Sequence, residues 1–150
     1  MARTREPVVI LLADDDAEDR ALTRRALAES RLANELHCVE DGEQLLEYLR
    51  REGDYREGKQ APRPHVILLD LNMPRLSGRE ALEQIKANPA LRSIPIVVLT
   101  TSDQEEDVLR SYELGASSFI TKPVTFDALV EVMRSLGNYW FEIVRLPDFD

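Results

Sequence analysis

Cysteine occurs once in the 150 residues, at Cys38, so no intramolecular disulfide can form and a secreted fold held together by bridges is excluded. Histidine occurs only twice, at His37 and His65, and without a cysteine cluster beside them no zinc-ligand set exists. Both histidines lie in or before apolar runs and read as structural. Long hydrophobic stretches are missing too. No window reaches the roughly 18 apolar residues that a membrane span needs. The start, "MARTREP", has two arginines but no apolar segment behind them, so it does not read as a leader. The chain is expected to be cytoplasmic, with no membrane partner. Positive charge is the minority sign, 19 Lys and Arg against 28 Asp and Glu, for a formal net charge of −9. No basic cluster offsets this locally, which argues against nucleic acid as a direct partner.

What is present is the balance of a globular protein, 43% hydrophobic and 31% charged. The length suits one domain, and no appended DNA-binding or catalytic domain is expected. Two continuous aliphatic runs, "PVVILLA" (7–13) and "HVILLD" (65–70), read as buried strands, and "IPIVVLTT" (94–101) as a third. "NELHCVED" and "SSFITKP" are shorter and more polar, as edge strands would be. Segments with helical spacing follow Asp16, Asp41, Ser77, Ser102 and Thr125. Ser77 with Glu80, and Ser102 with Glu105, fit the S-x-x-E capping box, while Gly115 and Gly137 sit where helices stop. Phe126, Leu129, Val130 and Met133 recur at i, i+3, i+4 and i+7, one buried face. Strict alternation of strand and helix predicts βαβ units: an α/β, flavodoxin-like doubly wound (βα)5 fold with a parallel five-stranded sheet in the order 2-1-3-4-5. The polar connection "GDYREGKQAPRP" before His65 is expected to be a surface loop.

The first strand runs straight into Asp14, Asp15 and Asp16, an odd ending for a core element. In a parallel sheet the C-terminal strand ends gather on one edge, where such folds bind ligands. Asp14, Asp15 and Asp16 end strand one, Asp70 strand three, Thr100 and Thr101 strand four, and Lys122 strand five. Asp14, Asp15 and Asp70 would crowd together as like charges, and a hard divalent cation with water in its remaining positions resolves that; oxygen ligands suit Mg²⁺. Asp16 is explained by helix capping alone. A carboxylate beside such a cation can attack a phosphoryl group, with Lys122 as a second positive charge and Thr100 as a hydroxyl donor.

From about Val8 to Leu136 the chain resembles the receiver domain of two-component response regulators. "ADDD" resembles the family's acidic pair, which makes Asp14 and Asp15 metal ligands. "LLDLNMPRLSG" resembles the acceptor segment, with Asp70 as the phosphorylated residue and a metal ligand, and Asn72 lending its backbone carbonyl to Mg²⁺. "VVLTT" gives Thr100 as the switch hydroxyl, "SFITKP" gives Lys122 as the phosphoryl-binding lysine, and Phe119 takes the switch-aromatic position. The resemblance implies phosphoryl transfer from a histidine of a sensor kinase to Asp70, movement of Thr100, inward rotation of Phe119, and a reshaped face of helix four, strand five and helix five. It also implies a cis peptide before Pro123, and a tuning role for Ser102 and Asn72 in hydrolysis of the acyl phosphate. Such a protein is a phosphoacceptor that assists only its own phosphorylation and dephosphorylation, and in that sense not an enzyme.

The receiver is expected to span 1–137, with 138–150 as an extension. In "NYWFEIVRLPDFD", Tyr139, Trp140, Phe141, Ile143, Val144 and Leu146 are too apolar for a frayed terminus. The segment is a strap on its own domain or part of a homodimer contact with helix five. Together with the long loop and "SGREAL", it resembles the stand-alone regulators that accompany bacterial and cyanobacterial phytochromes, which implies a red-light sensor kinase as partner. Two other readings stand beside this one. In a haloacid-dehalogenase-like phosphatase Asp14 would be the nucleophile of a D-x-D with Asp16, although Glu18 departs from that pattern. A phosphorylation-independent binding module would be expected to lack Asp70 or Lys122, and neither is missing.

Overall fold

The structure is a computed structural model and describes residues 8–30, 34–56, 61–101 and 104–138. Each apolar run forms a strand: β1 (Val8–Ala13), β2 (Asn34–Val39), β3 (Val66–Leu69), β4 (Ile96–Thr100) and β5 (Ser118–Thr121). Between and after them lie α1 (Ala17–Glu29), α2 (Gly42–Arg50), α3 (Gly78–Ala87), α4 (Glu105–Glu113) and α5 (Phe126–Leu136). All strand pairs are parallel, in the order β2-β1-β3-β4-β5. This is the flavodoxin-like doubly wound order expected from the sequence. The three aliphatic runs are the inner strands, while the two polar ones are the edges, where most residues are only partly buried.

Successive residues of the inner strands point to opposite faces, so one strand feeds two cores. Leu11, Ala13, Ile67, Leu69, Ile96 and Val98 pack beneath Leu45 of α2 and Ala81, Leu82 and Ile85 of α3. Ile10, Leu12, Val66, Leu68, Val97 and Leu99 pack beneath Ala26 and Leu27 of α1 and Leu129, Val130 and Met133 of α5. The periodic apolar face of α5 is therefore buried as its spacing requires. Helix α4 is bound less deeply, with Ser111 its one buried residue.

Side-chain caps set most helix starts. Asp16 caps α1, Asp41 caps α2, Thr125 caps α5, and Ser77 with Glu80 closes the capping box on α3. At α4 the described start differs from the expected one. Helix α4 begins at Glu105 behind Gln104, which makes no side-chain cap, and Ser102 lies outside the described residues. Gly115 does end its helix, at φ +107°, a conformation that side chains resist. Gly137 does not: its backbone is right-handed helical, and the chain winds on through it in a wider turn.

Two further expectations need correction. The stretch before His65 is more than a surface loop. Its described residues include a single 3₁₀ turn (Gly53–Tyr55), the Tyr55 ring packs at a tilt on Tyr48 of α2 with centroids 5.2 Å apart, the Tyr48 hydroxyl donates to the Pro62 carbonyl at 2.8 Å, and Ala61 is buried. The Lys122–Pro123 peptide is trans. His65 is structural, its Nδ1 accepting the Val9 N–H at 3.0 Å. The segment 139–150, expected to be a strap or dimer contact, lies outside the described residues. Among the described residues no helix is long and apolar enough to cross a membrane.

Candidate functional site

Three backbone hydrogen bonds carry the sheet one residue beyond its strands. Asp14 N–H donates to the Val39 carbonyl (3.1 Å), Asp70 N–H to Ala13 (3.0 Å) and Lys122 N–H to Thr100 (2.7 Å). The ladder itself thus positions the functional side chains at the carboxyl edge. The loop after Asp70 is clamped as well. Gly78 N–H donates to the Leu71 carbonyl (3.0 Å), and a Cβ at position 78 would stand 2.1 Å from the Asp70 carbonyl oxygen. Only glycine lets α3 start so close to that segment.

Asp14 and Asp70 are almost wholly buried, whereas Asp15 is exposed. Each of the three offers a carboxylate oxygen, and these oxygens lie within 4.8 Å of one another. Asp70 is held on both sides. Its Oδ1 accepts the Thr100 hydroxyl (3.0 Å) and the Asn72 N–H (3.0 Å), and its Oδ2 accepts the Lys122 ammonium (3.0 Å). Asp14 Oδ1 accepts the Asp16 N–H (3.0 Å), and Asp14 Oδ2 the Lys122 ammonium (2.7 Å). Asp16 itself turns to α1, accepting the N–H of Glu18 (2.8 Å) and of Asp19 (3.4 Å). It is spent as a cap, which deprives the D-x-D phosphatase alternative of its second acid.

Burial and pairing pull in opposite directions here. Desolvation pushes the Asp14 carboxyl above the ordinary carboxylate value, and the Lys122 ammonium only partly offsets it. At Lys122 desolvation works against the charge, yet hydrogen bonds to Asp14, Asp19 and Asp70 outweigh it and hold the ammonium more firmly protonated than a free lysine. One lysine therefore does not fully neutralise the acids it touches. The donor set is made of hard oxygens with a residual negative charge, and it fits a divalent cation.

The sequence-predicted residues thus divide into two groups. Asp14, Asp70, Thr100 and Lys122 form one hydrogen-bonded unit, Asp15 lies at its rim, and Asn72 joins through its N–H. Phe119 stands apart. It pairs with Val98 inside the sheet, is half-buried against the α3-side core, and donates its N–H to the Tyr112 hydroxyl at 3.2 Å. Asp19 was not predicted, and its Oδ2 accepts from Lys122 at 2.9 Å. Its only sequence signal is a helical offset, five residues after Asp14 on the turn that faces the same edge. A cavity of about 630 Å³ elsewhere, lined by Arg25, Ala28, Glu29, Ser30 and Arg134, shares no residue with the acidic cluster.

Residues 10–134 match the sequence profile of the response regulator receiver domain. Response regulator Rcp1 of Synechocystis sp. is 42% identical over 141 residues, which cover 94% of each chain. The crystal structure of its Mn²⁺-bound form aligns with a TM-score of 0.86 over 95% of this chain and 100% of that one. The phosphorylated cyanobacterial phytochrome response regulator RcpA is 39% identical, with a TM-score of 0.87 over 95% and 99% of the two chains. The bacteriophytochrome response regulator RtBRR is 45% identical, with a TM-score of 0.75 over 94% and 84%.

Proposed function

The chain belongs to the response regulator receiver family, and from that premise we propose that Asp70 accepts a phosphoryl group from a histidine of a sensor kinase. The observation that carries this is the buried Asp70 carboxylate, joined by Lys122 and Thr100 and flanked by Asp14 and Asp15. Asp70 attacks phosphorus while the phosphorus–nitrogen bond to the donor histidine breaks, and the nitrogen leaves with the electron pair. An acyl phosphate remains on Asp70, and water later hydrolyses it. Lys122 pairs its ammonium with phosphoryl oxygens as negative charge shifts onto them, and the Thr100 hydroxyl turns from the carboxylate to donate to the new group. Asp14, Asp15 and Asp70, with the Asn72 carbonyl, would hold Mg²⁺, which when bound supplies the charge that neutralises those oxygens.

Intact mass after incubation with acetyl phosphate tests this reading. Wild type should gain one phosphoryl adduct that requires Mg²⁺ and disappears with chelator, and Asp70→Asn should gain none. Labelling that persists in Asp70→Asn would place the acceptor elsewhere.

Finer readings concern partners. The resemblance to RcpA and RtBRR supports a phytochrome-type, red-light sensor kinase as phosphoryl donor, acting in the cytoplasm. That assignment fails if a phytochrome kinase from the same genome leaves the protein unlabelled while another kinase labels it. Thr100 and Phe119 are the switch pair in this scheme: the hydroxyl moves toward the phosphoryl group and the half-buried ring follows inward. Residues 1–137 act as the receiver. The aromatic segment 138–150 either straps that unit or pairs it with a second copy near α5, and its composition supports the second arrangement.

A further inference from the structure

Lys122 is surrounded by more negative charge than phosphoryl chemistry calls for. Its ammonium has three N–H donors, and each ends on a different carboxylate: Asp14 at 2.7 Å, Asp19 at 2.9 Å and Asp70 at 3.0 Å. Asp14 and Asp70 belong to the acidic cluster, and both take new partners in the reaction described above. Asp19 takes none. It stands on the first turn of α1, outside the cluster, with its backbone N–H on the Asp16 cap. Its side chain is 35% exposed against 12% for Lys122, so it reaches the lysine from the solvent side.

We propose that Asp19 is a positioning residue that shares the Lys122 ammonium with the Asp14–Asp70 pair and loosens its hold on them from the α1 side. A lysine held by two site carboxylates alone would sit between them and compete directly with a divalent cation for the same oxygens. A third carboxylate on α1 divides that attraction and gives the ammonium a partner to keep when Asp14 and Asp70 turn to the cation and the phosphoryl group. The inference rests on the metal-assisted acceptor reading. A simpler role also exists for an acid in the first turn of a helix, favourable charge against the helix dipole. The two differ in one respect: positioning acts through Lys122, whereas a bare charge attracts a cation whether or not Lys122 is present.

A double-mutant cycle separates them. Mn²⁺ would be titrated into the full chain and the free ion followed by electron paramagnetic resonance, for wild type, Asp14→Asn, Asp19→Asn, Asp19→Ser, Lys122→Ala and the Asp19→Asn/Lys122→Ala double variant. Asp19→Asn and Asp19→Ser should each raise the Mn²⁺ Kd about threefold, the scale of a partly exposed ion pair. Lys122→Ala should bind more tightly than wild type, and adding Asp19→Asn to it should change Kd by less than about 1.5-fold, since the coupled partner is gone. Equal weakening in both backgrounds, or none in wild type, overturns the proposal and leaves the acceptor site intact. If wild type takes up no Mn²⁺, or Asp14→Asn binds as wild type does, the metal site itself fails and the proposal with it.

Discussion

Asp14 and Lys122 show how opposing effects settle at single residues. Burial raises the Asp14 pKa above 3.8, so in the absence of a cation its ionised form costs the folded state stability. For a raised carboxyl, the neutral form's advantage is full below the ordinary value and is lost as pH rises through the folded one. Asp14→Asn should therefore be more stable than wild type at pH 7 without divalent cations, and the gain should shrink as pH falls toward 3.8, as urea unfolding across pH would report. Lys122→Ala should do the reverse, costing about 1–3 kcal/mol by leaving two buried carboxylates without their cation. Saturating Mg²⁺ should recover more of that loss in the variant than it adds to wild type. Asp14, Asp70, Thr100 and Lys122 were legible in the sequence because each ends an apolar run, and strand ends converge in a parallel sheet. Asp19 was not. Acids are common in first helical turns, and only the packing of α1 beside the start of α5 shows that this one meets Lys122.

At the scale of elements, α3 is tied to the acceptor segment and α4 is tied to α3. With a Cβ at position 78 only 2.1 Å from the Asp70 carbonyl oxygen, Gly78→Ala must displace either the helix or the acceptor loop. A loss of about 2–4 kcal/mol is expected, together with slower labelling by acetyl phosphate. Helix α4 leaves Leu109 and Tyr112 exposed, and its first turn is fastened to α3 by Arg79, whose Nε and Nη2 both donate to Asp107 Oδ1 at 3.1 and 2.8 Å. Asp107→Ala should speed amide hydrogen exchange across 105–113 while leaving α3 and α5 protected, the pattern of a local opening. The S-x-x-E spacing was present in the sequence, but α4 starts at Glu105, two residues later than a cap at Ser102 requires.

For the whole molecule, the apolar segment beyond residue 138 sets the clearest test. Sedimentation velocity of the full chain should report a dimer, and truncation after Asn138 should give a monomer; a monomer in both would favour the strap. Sequence alone determined the parallel sheet and its two-sided core, because strand and helix periods alternate and a parallel sheet must be covered on both faces. It also determined which strands are central, since only continuous aliphatic runs tolerate burial on both sides. Tertiary structure decided what periodicity does not encode. The loop before β3 closes over Tyr48, α5 winds on through Gly137, Asp16 is withdrawn into a cap, and Asp19 is brought to Lys122 across more than a hundred residues of chain. Each depends on distances between elements, and these become definite only when the helices seat on the sheet.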